Sequence, residues 1–174
     1  TALFSGLLTG AAVIGLILCF LTPILSALGA TETILPYARE YAVIYVSGSI
    51  LNVFNVTMNN LLTAQGSTRF TMAAMTAGSV TNLILDPLLI YGLHMGIRGA
   101  AAATVVSLCV NSLMYVYYLR RQKGVLKPSI RKITIKGAVY KEILKIGIPV
   151  LTFQLFASAA LGLTNTAAKE YGDY

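Results

Sequence analysis

Charge is what this sequence has least of. Only 11% of its 174 residues are Asp, Glu, Lys or Arg, while 56% are hydrophobic and the mean hydropathy is +0.75. Soluble domains carry about 25% charged residues, so an ordinary water-soluble domain is excluded. Acids are scarcest: there are six, and Asp86 is the only one between Glu40 and Glu142. With a single histidine there is no His pair at metal spacing, and neither a serine elbow nor a phosphate-cradling glycine loop occurs. The chain therefore reads as a non-enzyme without a cofactor. Cys19 and Cys109 are too few and too apolar in context for a disulfide framework, and read as packing residues. The opening segment has no basic n-region or cleavage site, which predicts no signal peptide.

What is present is long apolar sequence. Residues 1–31, 41–68, 99–119 and 146–168 carry no charge, and 70–97 carries only Asp86. Each stretch matches the roughly 20 residues that cross a hydrocarbon core of about 30 Å. The expected fold is all-α, a polytopic bundle of five transmembrane helices near 2–28, 38–64, 70–92 and 98–119, the last starting near 142. Pro149 is expected to kink the last of them. Opening on Thr1 and stopping at "KEYGDY" directly after a span predicts a piece of a longer protein.

The formal charge of +7 does not point to nucleic acid. Nine of thirteen basic residues fall within Arg120–Lys145, a single connection between two spans without aromatic interleaving. The positive-inside rule makes it a cytoplasmic loop near anionic headgroups. The turn at 65–69 is then inside, and those at 29–37 and 93–97 are outside. Arg69 agrees with this orientation; Arg39 and Arg98 count against it.

Polar residues inside the spans carry the functional signal. Asn82 and Asp86 are spaced i, i+4, one turn apart on one helix face. A carboxylate at mid-membrane costs roughly 2.5–3.5 kcal/mol on insertion scales, so it is expected to face a bundle interior or a wet cavity. Alternatively, Asp86 caps a new helix starting at Pro87. Tyr41, Tyr45, Gly48, Asn52, Asn55 and Asn59 form a second stripe, which reads either as a cavity wall or as helix packing. "GAAAATVVS" at 99–107 predicts close helix approach, and on the residues alone Thr104 belongs to that packing. His94, Ser67 and Thr68 read as surface and turn residues.

"NNLLTAQGSTR" followed by "NLILDPLLIYGLHMGIRGAAAATVVS" resembles the multidrug and toxic compound extrusion (MATE) transporters, as do "KIGIPV" and "NTAAKEYGD" after the basic loop. The resemblance covers essentially the whole chain and places it at spans three to seven of twelve. It implies that 1–121 belongs to the amino-terminal lobe, 122–141 to the basic inter-lobe loop, and 142–174 to the first helix of the second lobe. The family's properties imply a secondary antiporter exporting cationic amphipathic drugs or metabolites in exchange for Na+ or H+, and the default expectation for its location is a bacterial plasma membrane. Carried over by position, Asn82, Asp86 and Thr104 would bind the coupling cation (Na+ if sodium-coupled), with Tyr41, Asn59 and Asn55 in the adjoining polar network. The site and the transport cycle would need the remaining helices of the same chain, including a partner aspartate. The alternatives are a lipid-linked saccharide flippase of related fold, which should present basic residues to pyrophosphate, and a non-transporting membrane subunit, which would need no intramembrane acid.

Overall fold

In lipid an apolar segment must satisfy its own backbone, and helices do so. The computed structural model describes residues 2–28, 30–121 and 137–171, which contain helices and no strand. In order they are α1 (Ala2–Cys19), α2 (Leu21–Ala27), α3 (Leu35–Ala64), α4 (Thr68–Pro87), a π-helical turn (Leu88–Gly92), α5 (Ile97–Arg121) and α6 (Gly137–Tyr171).

Four segments are long and apolar enough to cross a membrane by themselves: Leu35–Ala64, Thr68–Gly92, Ile97–Arg121 and Lys141–Asn165. The expected first span is broken. The chain bends by 79° between α1 and α2, and the pair supplies a fifth crossing only if taken together. Pro23 accounts for the place of the break: it has no N–H for the Cys19 carbonyl and its ring crowds that carbonyl, so the helix ends at Cys19. Within α2, Pro23 is in the first turn, where its missing donor is not needed. Pro149 behaves differently, since α6 runs through it as one helix. That helix begins at Gly137, inside the stretch expected to be loop; most of the basic connection, 122–136, lies outside the described residues.

Helix α5 is the hub, packing against α3, α4 and the π-helical turn. Its small residues permit this, and Gly99, Ala101, Ala103 and Ser107 are buried as the sequence predicts. A Cβ on Gly99 would lie 2.9 Å from the carbonyl carbon and oxygen of Leu89, and one on Gly48 would lie 2.5 Å from Val105 Cγ2. Toward the other end of α5, Tyr115 closes a cluster with Met58, Leu62 and Ala74. The α1–α5 bundle is thus held by backbone approach at one end and side-chain packing at the other. Across Lys141–Asn165, α6 buries nothing against it.

Asp86 lies inside α4 and does not cap a new helix. The π-helical turn follows Pro87 and has no side-chain cap at its start. Pro87 cannot bond to Leu83, and the chain continues with wider i to i−5 bonds such as Leu93 N–H to the Leu88 carbonyl at 3.0 Å. The turn beyond reverses through His94 and Gly96, both at positive φ (53° and 55°). Arg98, which the charge tally counts against the orientation, forms a two-pronged ion pair with Glu40: Nη2 to Oε1 at 2.8 Å and Nε to Oε2 at 3.0 Å. It ties the start of α5 to the start of α3, so its charge is locally neutralised.

Candidate functional site

A cleft of about 200 Å³ lies between α4 and α5. Asn82 lines it from α4 and Thr104 from α5, joined by Ser79, Ser107, Asn111 and the thioether of Met75. Asp86 stands one turn beyond Asn82 and outside the lining, with Asn82 Nδ2 donating to its Oδ1 at 3.3 Å. The i, i+4 spacing thus gives a direct contact. The Thr104 hydroxyl donates to the Ala100 carbonyl at 3.0 Å, as helical threonines commonly do. Its oxygen keeps lone pairs for a ligand.

Electrostatically the site is one-sided. The Asp86 carboxylate is half-buried. Among the described residues the only ion pair is Arg98 with Glu40, which leaves Asp86 without a cationic partner there. Its one hydrogen bond comes from a neutral amide. Carboxylate, amide and hydroxyl oxygens form a hard donor set, suited to Na+ or a proton and poorly suited to soft metals.

The polar stripe of α3 divides into parts. Asn55 is a clamp: its Nδ2 donates to the Leu108 carbonyl at 3.0 Å and its Oδ1 accepts from Ser112 Oγ at 2.7 Å. It is 4% exposed, so both amide groups are spent on the α3–α5 contact and none faces the cleft. Gly48 is likewise a packing position. Asn59 reaches the cleft indirectly, donating from Nδ2 to Met75 Sδ at 3.4 Å. Tyr41 stacks on Tyr45 with ring centroids 5.8 Å apart. Tyr41 and Asn59 are 18 positions apart on α3, about 27 Å along the axis. The stripe is therefore no single cavity wall.

Ser79, Ser107 and Asn111 are cleft residues that the sequence did not single out. A signal existed: Thr104, Ser107 and Asn111 step by three and four along α5, the same periodicity that marks the α3 stripe.

A family model described as MatE matches residues 1–88. The multidrug export protein MepA of Staphylococcus haemolyticus (strain JCSC1435) is 28% identical over 173 residues, covering 99% of this chain and 38% of that protein. Among solved structures, the inward-facing conformation of a multidrug resistance MATE family transporter of the MOP superfamily superposes with a TM-score of 0.91 at 32% identity. It covers 98% of this chain and 39% of that one. The outward-facing conformation of such a transporter gives 0.84 at 32% identity, over 92% and 36%. The chain thus spans about two-fifths of the length of the relatives it matches.

Proposed function

The chain belongs to the MATE family of multi-pass membrane transporters, and from that premise we propose that it supplies part of a cation-coupled antiporter that exports cationic amphipathic compounds across the plasma membrane. Asp86 is the coupling carboxylate, with Asn82 and Thr104 as further oxygen donors to Na+ or H+. Asn59 acts on the cleft through Met75, and Tyr41 belongs to the outer part of the same lobe. The lobe comprises α1 to α5, and α6 opens the second lobe, its exposed length available to that lobe's helices.

The observation that carries this reading is a half-buried carboxylate, held by one neutral amide and without a cation beside it among the described residues, next to a cleft lined by oxygen donors. A carboxylate inside a membrane span normally has a partner or an exchangeable ion, and a bound cation or proton would fill that role at Asp86. Neutralisation removes the cost of enclosing the charge and so favours an arrangement of the lobes in which the site is closed. The reverse arrangement leaves the carboxylate charged and favours a cationic substrate. Each ligand shifts the equilibrium only by its difference in affinity for the two arrangements. No basic side chain among the described residues lines the cleft, which supports a cationic rather than a pyrophosphate-bearing substrate.

The test is efflux of a cationic dye by the complete protein, with and without Asp86→Asn, under separately imposed sodium and proton gradients. The variant is expected to reach the membrane and lose gradient-driven efflux, and the gradient that drives the parent names the ion. Efflux equal to the parent's would show that Asp86 does not couple transport.

A further inference from the structure

A second polar stripe runs along α5. Thr104, Ser107, Asn111, Tyr115 and Tyr118 step by three, four, four and three residues, which is one helix face. Its first three members belong to the cleft. Its last is hydrogen-bonded where α3 turns into α4: Tyr118 Oη and Ser67 Oγ are 2.5 Å apart. Between these ends the stripe is unsatisfied. Asn111 Oδ1 and Tyr115 Oη are buried and have no hydrogen-bond partner among the described residues.

Tyr115 is 0% exposed, and its enclosure is supplied by α3, α4 and α5 themselves through Met58, Leu62, Ala74 and Phe70. Further helices would not alter that. An orphaned buried polar atom costs about 1–3 kcal/mol, and native proteins commonly answer it with an ordered water. Asn111 and Tyr115 lie one turn apart on one helix face. Helix α4 sets small residues beside both orphans. Ala74 is in the Tyr115 cluster, and the Cβ that Gly78 lacks would stand 3.4 Å from Asn111 Cβ.

We propose that Asn111 and Tyr115 hold bridging waters that join the Asn82–Thr104 cleft to the Ser67–Tyr118 turn, and that this row, completed by water in the cleft beside Asn82, conducts protons to and from Asp86. It rests on the reading of Asp86 as the coupling carboxylate, and it adds a route within the α3–α4–α5 bundle. The waters and the Tyr115 and Tyr118 hydroxyls each accept a proton on one side and release one on the other. Thr104 and Ser107, whose hydroxyls donate to backbone carbonyls, only accept hydrogen bonds from the waters. The net result is one proton moved, with only O–H bonds made and broken. The Asn111 amide orients its water and carries no proton itself. At the far end the row reaches Ser67 and, near the end of α5, Tyr118.

The experiment compares the complete protein with its Tyr115→Phe variant in proteoliposomes, following ethidium efflux under a proton gradient, equilibrium ethidium binding and thermal stability. The relay predicts at least a tenfold fall in proton-driven efflux, with ethidium affinity unchanged and the melting temperature equal or higher. Proton-driven efflux equal to the parent's, together with a higher melting temperature, would show a dry orphan hydroxyl and overturn the relay. So would a parent driven by sodium alone. If Tyr115→Phe fails to reach the membrane, Asn111→Leu, with the same number of side-chain heavy atoms, is put through the same proton-driven assay: a tenfold fall supports the relay, and parental efflux overturns it. Asp86→Asn run alongside separates the two readings: retained efflux there refutes the antiporter assignment, whereas loss there without loss in Tyr115→Phe refutes only the relay.

Discussion

The contact between Gly48 and Val105 gives a test in which the sign of the result is informative. Replacing glycine by alanine inside a helix normally stabilises it by about 1 kcal/mol, because glycine loses more backbone freedom on folding. At Gly48 the added methyl would sit 2.5 Å from Val105 Cγ2, 3.1 Å from Cγ1 and 3.3 Å from Cβ. Carbon atoms in contact prefer about 3.5–4.0 Å, so the first distance is short by about 1 Å. Valine is branched at Cβ and holds one preferred rotamer in a helix, so it cannot swing aside and α5 must move. Overpacking of this kind costs about 1–3 kcal/mol, which outweighs the propensity gain. Gly48→Ala is therefore expected to destabilise by up to about 2 kcal/mol net. In Gly48→Ala/Val105→Ala the clash is gone, and the pair should show a favourable coupling of at least about 1 kcal/mol. The assay is reversible unfolding of the purified complete protein in mixed micelles, run as a double-mutant cycle. A Gly48→Ala variant more stable than the parent, or a cycle that is simply additive, would refute the close approach of α3 and α5 at this point.

Two other positions extend the same reasoning. Gly99→Ala should be worse tolerated than Gly48→Ala. Its Cβ would meet the Leu89 backbone at 2.9 Å, and no neighbouring side-chain truncation can relieve that; the check is whether any such truncation restores the melting temperature. Asn55→Leu should cost about 1–3 kcal/mol by orphaning the Ser112 hydroxyl, and Asn55→Leu/Ser112→Ala should recover part of it. Transport by the double variant that survives in proportion to folded protein would agree with Asn55 as a clamp, and selective loss of ion coupling would contradict it.

How much of this was legible before folding depends on the range of the interaction concerned. Exclusion of ionised groups from hydrocarbon acts along the chain, so gaps between charges located the spans without any knowledge of packing. Asn82 and Asp86 were legible for a related reason: a helix alone brings i and i+4 together, and no other element is needed for their hydrogen bond. Pro23 and Pro149 mark the limit of local reading. Each removes one helical bond, yet the chain breaks at the first and runs through the second, and composition alone did not separate them.

Everything that depends on which faces meet was decided by the tertiary structure. Asn55 and Asn59 are one turn apart on one stripe, but α5 consumes the first as a clamp while the second reaches Met75 on α4. Ser107 and Asn111 became cleft residues only because α4 presents Gly78 and Ser79 opposite them. Arg98 reads in sequence as a charge on the wrong side of the membrane, and in the fold it is one half of an ion pair with Glu40, 58 residues away. The sequence by itself determined four of the five expected spans, the intramembrane acid and its amide neighbour, because solvation and helical periodicity are properties of a segment. Only the fold could assign partners, since partner choice depends on backbones drawn together by Gly48, Gly78 and Gly99 across separate helices.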